Sequence, residues 1–247
     1  MTAYLLIVVA GIWAGAQNAL AGGGSFVTLP ALILSGMTPI AANITSTVAL
    51  FPGQSTSGIV AAKWVTGAGK LPFWALFAIS LAGGALGGVL LLRTSPKTFE
   101  YLVPWLVLFA TIVFAWGSFL RKPHEASVHL GPLRTSFAQF AIAVYGGYFG
   151  GGIGFLMMAA LSMAGVPTRN AVAIKNALAG VMNAAAVVIF VMSPELHWHA
   201  AIAMGVGSVL GGFAGSWAVA RINERALRIL VVCIGAALTV GLFMRPV

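Results

Sequence analysis

The first charged or imidazole side chain in this sequence is Lys63, so 62 residues pass before any Lys, Arg, Asp, Glu or His. No water-soluble domain folds from such a stretch, because roughly a quarter of the residues in an ordinary soluble domain are charged. The rest of the chain is similar: 7% of its 247 residues are charged, 60% are hydrophobic and the mean hydropathy is +1.01. A soluble enzyme, a disordered tail and a nucleic-acid-binding domain are thereby excluded. An integral membrane protein remains. The opening run also lacks the basic start of a secretory signal and far exceeds its length, so it is expected to be retained.

The charged residues divide the chain into apolar runs at 1–62, 71–92, 101–120, 135–168, 176–194, 200–220 and 229–244. One helical span needs about 20 apolar residues. Most runs fit one helix, but 1–62 and 135–168 are too long and must contain breaks. Gly22-Gly23-Gly24, Gly36-Met37-Thr38-Pro39 and Pro52-Gly53 are expected to interrupt the first. Gly150-Gly151-Gly152 and Gly165-Val166-Pro167-Thr168 are expected to interrupt the second. Non-helical backbone at membrane depth survives only where protein or a water-filled cavity covers it, so such breaks are where transporters place their sites.

The breaks recur. A shift of 129 lays Gly22-Gly23 on Gly151-Gly152, Phe26 on Phe155 and Gly36 on Gly165. A shift of 128 lays Gly83-Gly84 on Gly211-Gly212, Gly87 on Gly215, Arg93 on Arg221 and Lys97 on Arg225. The chain reads as a duplication, 1–120 and 136–247, joined by a polar linker at 121–135. The fold class is all-α and polytopic: about eight membrane helices in two homologous repeats, with broken or re-entrant segments after the glycine motifs.

The net charge of +9 sets orientation first. With four crossings per half, the basic loops divide evenly between the two faces. With an odd number, Lys63, Lys70, Arg121, Lys122, Arg134, Arg221, Arg225 and Arg228 share one face, against Arg93, Lys97 and Arg245. The second arrangement obeys the positive-inside rule. It predicts inverted repeats, with hairpins near 25–50 and 153–180 and both termini outside. A parallel duplication of eight plain helices remains open.

Polar side chains cluster beside the breaks. Asn43, Thr45, Ser46 and Thr47 follow the first hairpin turn; Arg169, Asn170, Lys175 and Asn176 follow the second, with Ser46 opposite Lys175 and Thr47 opposite Asn176. An isolated Ser or Thr in a membrane helix is commonly packing glue. A lysine inside an apolar helix is costly and marks a functional site, unless it snorkels to a nearby interface. The glycine breaks leave backbone N–H groups at helix starts, which bind anions. The Gly83–Gly88 and Gly207–Gly215 segments read instead as small-residue packing seams.

Acidic residues are confined to Glu100, Glu125, Glu195 and Glu224, all at helix starts, in the linker or in a loop. Intramembrane proton relays and metal-cation sites normally use carboxylates, so a cation pump is disfavoured. His197-Trp198-His199 reads as an interfacial loop anchored by its tryptophan, with metal binding or catalysis as the rival reading. The single Cys233 forms neither an internal disulfide nor a cysteine-rich metal site. No nucleophile–base pair stands at membrane depth, so the chain is not expected to be an enzyme, and no metal or cofactor is expected.

Gly11-Ile12-Trp13-Ala14-Gly15, leading into Ala21-Gly22-Gly23-Gly24-Ser25-Phe26-Val27-Thr28-Leu29-Pro30, resembles the opening motif of the sulfite exporter (TauE/SafE, TSUP) permeases. Gly36-Met37-Thr38-Pro39 and Ala42–Thr47 continue it, and Tyr148-Phe149-Gly150-Gly151-Gly152-Ile153-Gly154 repeats it. The resemblance covers nearly the whole chain. Gln17-Asn18 departs from it, standing where the family is usually apolar. The resemblance implies a multi-pass permease of the cell inner membrane. Its cargo would be a small sulfur-containing anion: sulfite, sulfoacetate, thiosulfate or an organosulfonate.

The expected substrate site lies between the repeats. The backbone at Gly23, Gly24, Ser25, Gly151 and Gly152, the hydroxyls of Thr45, Ser46 and Thr47, and the amides of Asn43, Asn176 and Asn183 would hold the anion's oxygens. Lys175, with Arg169, would supply charge. The expected partners are that anion, the lipid bilayer, protons as a coupling ion and further copies of the chain as a homo-oligomer; nucleic acid is not among them. A membrane scaffold without transport activity, and a permease for non-sulfur organic anions, stay open as alternatives.

Overall fold

Where the glycine triplets stand, helices end. A computed structural model describes residues 2–20, 23–120, 131–218 and 224–244. Gly22, Arg221, Arg245 and the linker portion 121–130, with its basic residues, histidines and Glu125, lie outside the described residues. α1 (Thr2–Leu20) stops before the first triplet, and α2 (Ser25–Leu34) is only ten residues long. α3 (Pro39–Ala61) then runs long, followed by α4 (Phe73–Arg93) and α5 (Pro96–Ala115). The same sequence of lengths recurs in α6 (Pro132–Tyr148), the short α7 (Ile153–Met163), α8 (Thr168–Phe190), α9 (Trp198–Ala218) and α10 (Glu224–Phe243). The described residues thus hold eight long helices, plus a half-length helix after each glycine motif. At 1.5 Å per residue α2 spans about 15 Å, half of a hydrocarbon core.

Proline alone does not break a helix here. Pro52-Gly53 was expected to interrupt the first run, yet α3 continues through it from Pro39 to Ala61. Inside a bilayer no water compensates an opened backbone, so the helix survives the loss of one N–H. Gly53 serves closeness instead: a Cβ there would stand 3.0 Å from the Ser208 hydroxyl of α9.

Glycine contacts fix the helix directions. Gly11 and Gly15 of α1 meet Met204 and Ser208 of α9, so these two helices run parallel. Gly83 and Gly87 of α4 meet Ala143 and Val144 of α6, again parallel. Gly84 and Gly88 meet Met182 and Ala186, which makes α8 parallel to α4. Both seams bring backbone against backbone, which is why the glycine-rich segments pack as the sequence suggests. α3 and α8, by contrast, run antiparallel: Asn170 at the start of α8 donates to the Trp64 carbonyl just past the end of α3. α5 and α10 are antiparallel too, with Trp105 against Phe243 and Ser118 against Arg228.

The helix directions sort the basic residues. Lys63, Lys70, Arg134, Arg169, Arg225 and Arg228 stand near one end of the bundle, and Arg93 and Lys97 at the other. The outer surface is apolar, with Trp74, Leu133, Phe137, Val188, Ile202 and Phe213 exposed. Three helices, Phe73–Arg93, Pro96–Phe119 and Thr168–Phe190, are long and apolar enough by length and composition to cross a membrane. The protein is an all-helical, polytopic membrane protein. Phe99, Phe114, Phe190, Leu32 and Ile44 fill the centre completely buried.

Candidate anion pocket

The two half-length helices begin at the same place. α2 starts behind Gly23, which adopts φ +85°, and α7 starts behind Gly150 and Gly152, at φ +79° and +74°. These left-handed conformations favour glycine, and they turn the chain sharply enough for a helix to begin at mid-depth. The first N–H groups of a helix have no partner within it and carry the positive end of its dipole. Both helix starts face one cavity.

That cavity measures about 60 Å³ and is lined by Asn18, Gly23, Ser25, Gln54, Gly150, Gly152, Ile153, Gly154, Lys175, Asn176 and Ala179. Lys175 projects from the second turn of α8 across the start of α7: a Cβ placed on Gly154 would lie 3.8 Å from its Nζ. No acidic residue lines the cavity. Two helix N-termini and one ammonium group therefore converge on a space that holds no compensating negative charge. Helix N-termini and ammonium groups are the elements from which proteins build anion sites.

Side chains hold the first loop in place. The Gln17 amide donates to the Gly23 carbonyl at 2.8 Å, and the Gly24 N–H donates to Asn18 Oδ1 at 2.8 Å. The Trp13 indole N–H in turn donates to Gln17 Oε1 at 3.2 Å. Gln17 and Asn18, the departure from the apolar pattern, thus pin the glycine turn from the preceding helix, and Asn18 also reaches the cavity wall.

At the cavity's end stands a pair that sequence reading left apart. Asn183 Nδ2 donates to Gln54 Oε1, and these two residues are 129 apart, the offset that superimposes the glycine motifs. Equivalent residues of the two halves therefore touch. Gly23 and Gly152, and Ser25 and Gly154, are paired by the same offset on the cavity wall. The signal for Gln54 was present in the sequence: it is the counterpart of Asn183.

Of the expected site residues, Gly23, Ser25, Gly152, Lys175 and Asn176 line the cavity. Gly24 caps α2 and gives its N–H to Asn18. Asn183 holds Gln54. Gly151 packs close to the Phe149 ring. Arg169 lies outside, its guanidinium 3.3 Å from the centre of the Trp64 ring. The Asn43–Thr47 cluster also lies away from the cavity. Asn43 donates to the Tyr148 carbonyl, Thr45 accepts from the His197 N–H, Ser46 bonds Thr28, and Thr47 donates to the Asn43 carbonyl. Among the described residues no group of three or more His, Cys, Asp or Glu could hold a metal ion.

Residues 7–242 match the sulfite exporter TauE/SafE family. The chain belongs to that family. It is 26% identical over 239 residues to a probable membrane transporter protein of Haemophilus influenzae, covering 95% of this chain and 92% of that one. It is 27% identical over 249 residues to a probable membrane transporter protein of a Sinorhizobium species, covering 97% and 92%. The probable membrane transporter protein YfcA of Escherichia coli K12 is 25% identical over 233 residues, covering 93% and 85%. As a TauE/SafE protein, the chain is a membrane transporter.

Proposed function

We propose that this TauE/SafE protein is a secondary transporter of small sulfur oxyanions across the cell inner membrane, with the cavity at Lys175 as its binding site. The observation that carries this reading is the convergence of Lys175 with the starts of α2 and α7 on one cavity without a carboxylate. Discontinuous helices aimed at an anion are an established device of transporters. Lys175 supplies the charge; Asn18, Ser25, Gln54 and Asn176 supply hydrogen bonds; the turns at Gly23 and Gly152 let backbone approach the cargo. A water molecule needs about 10–15 Å³ of such space, so this conformation has room for about four to six. That volume favours a compact ion of the size of sulfite or thiosulfate over an extended organosulfonate.

The duplication, 1–120 and 136–247, is inverted in this reading, and the basic end faces the cytoplasm with both termini outside. No acidic residue lines the cavity. No carboxylate there can relay a proton; in this reading a coupling proton travels on the cargo, or the protein works as a facilitator. An inside-negative potential helps expel an anion by about 2.3 kcal/mol per charge per 100 mV, so export is the favoured direction.

Purified protein should be stabilised against heat by sulfite or thiosulfate and not by taurine or simple carboxylates. Ligand at 100 times its Kd raises stability by about 2.7 kcal/mol, well within reach of a melting experiment. Stabilisation by carboxylates alone would move the proposal to organic anions; stabilisation by none would remove the carrier reading. Proteoliposome flux insensitive to an imposed voltage would contradict net charge movement.

A further inference from the structure

The cavity takes its glycine turns from both halves but its Lys175-Asn176 pair from α8 alone, although the helices lay out the equivalent positions of α3 as well. α3 and α8 run antiparallel and touch through Gln54 and Asn183, which occupy equivalent positions. A half-turn about that contact carries each helix onto the other and exchanges the two ends of the bundle. Lys175 and Asn176 precede Asn183 on α8, so the cavity lies between the contact and the basic end. The half-turn puts Ser46 where Lys175 stands and Thr47 where Asn176 stands, on the far side of the contact.

That far side is closed. Thr28 is 0% and Ser46 3% exposed, and their hydroxyls lie 2.6 Å apart. Thr47 turns its hydroxyl back to the Asn43 carbonyl. The hydroxyls satisfy one another locally, which is how a polar site survives in a membrane interior while shut. The contact itself is only half satisfied: Asn183 is 5% exposed, and its Oδ1 has no hydrogen-bond partner. A buried acceptor left unpaired costs stability.

We propose that Ser46 and Thr47 form a second half-site for the same small oxyanion, closed here by the Thr28 hydroxyl on Ser46 and opened toward the face opposite the basic one in the alternate conformation. Gln54 and Asn183 are then the floor shared by both half-sites, because a contact on the symmetry axis maps onto itself when the halves exchange shapes. The proposal rests on the carrier reading of the cavity and extends it. The two half-sites differ in charge. On the basic side the side chains of the long helices offer an ammonium; on the other they offer hydroxyls, whose neutral hydrogen bonds are roughly half as strong as charge-assisted ones. The anion is therefore held less tightly on the far side, and half-saturation measured from that face should be roughly tenfold higher than from the basic face.

Two measurements decide it, both on full-length protein carrying Cys233→Ser in sealed vesicles. In the first, Ser46→Cys and Asn176→Cys are separately exposed to a membrane-impermeant methanethiosulfonate from either face. The cysteine at 46 should react from the face opposite the basic end and the one at 176 from the basic face. A cysteine at 46 that reacts from neither face, or only from the basic one, overturns the proposal. In the second, Thr28→Cys/Ser46→Cys is bridged with dibromobimane, whose thioethers are inert to sulfite. Bridging should lower sulfite flux by about tenfold or more against the singly substituted proteins treated alike, since a carrier held in one conformation cannot complete its cycle. Unchanged flux after bridging overturns the proposal. If no vesicle moves sulfite at all, the carrier reading fails for that anion, while the labelling pattern still decides whether the second half-site opens.

Discussion

On the proposed reading, Lys175 is a charge that the fold bears for the sake of its cargo. An ammonium group on a helix at bilayer depth costs about 3 kcal/mol, and no acidic residue lines the cavity to offset it. Lys175→Met keeps the length and removes the charge. It should melt no lower than the parent, yet lose anion-induced stabilisation and most of its flux, about tenfold or more if one charge-assisted contact of about 1.5–3 kcal/mol disappears. A variant that keeps full flux would remove Lys175 from the site. Asn18→Ala makes the opposite trade: the Gly24 N–H loses its acceptor, which should cost about 1 kcal/mol of stability and slacken the turn. Thermal unfolding in detergent reads both. Lys175 was legible in the sequence because a cation in an apolar helix stands out alone. The roles of Gln17 and Asn18 were not, since an amide looks the same whether it pins a turn or faces a cavity. Only the neighbours tell them apart.

Among the helices, glycine has two uses that sequence alone blends. In the turns at Gly23 and Gly152 it supplies a left-handed backbone; in the seams it lets helices touch. At Gly87 an added Cβ would run into the Val144 carbonyl, and at Gly211 into the Ile12 carbonyl. Gly87→Leu and Gly211→Leu should each destabilise the protein by about 1–3 kcal/mol or prevent assembly, as overpacking does. Gly241, with nothing within 4 Å of its missing Cβ, is the control. Gly241→Ala should be neutral or stabilise by up to about 1 kcal/mol, because alanine suits a helix better. Equal melting points for all three would show that the seams are looser than described. The half-length helices were foreseeable from the glycine triplets and the hairpin turns. The continuity of α3 through Pro52 was not, because whether proline breaks a helix depends on the solvent around it. The burial of Thr45 and Ser46 depended likewise on which neighbours α3 meets at its start.

At the level of the whole molecule, the two halves run in opposite senses. Lys97 and Arg225 are equivalent in sequence, yet the helix directions put them at opposite ends of the bundle. Single cysteines replacing them, in protein lacking Cys233, should label from opposite sides of a sealed vesicle. Labelling from one side only would restore the parallel duplication. The seams carry a different message about assembly. α1 finds its parallel partner in α9, and α4 finds its own in α6, each across the linker. Early helices therefore enter the membrane with their glycine faces unmatched, and α1 waits for a partner that begins at Trp198. Neither half holds within itself the partners of its glycine faces. Segments 1–120 and 131–247, produced separately, should each be degraded, and produced together they should recover a protein that melts cooperatively. The duplicated halves are thus bound to each other during synthesis: a chain cut off after its first half is a set of helices still waiting for their neighbours.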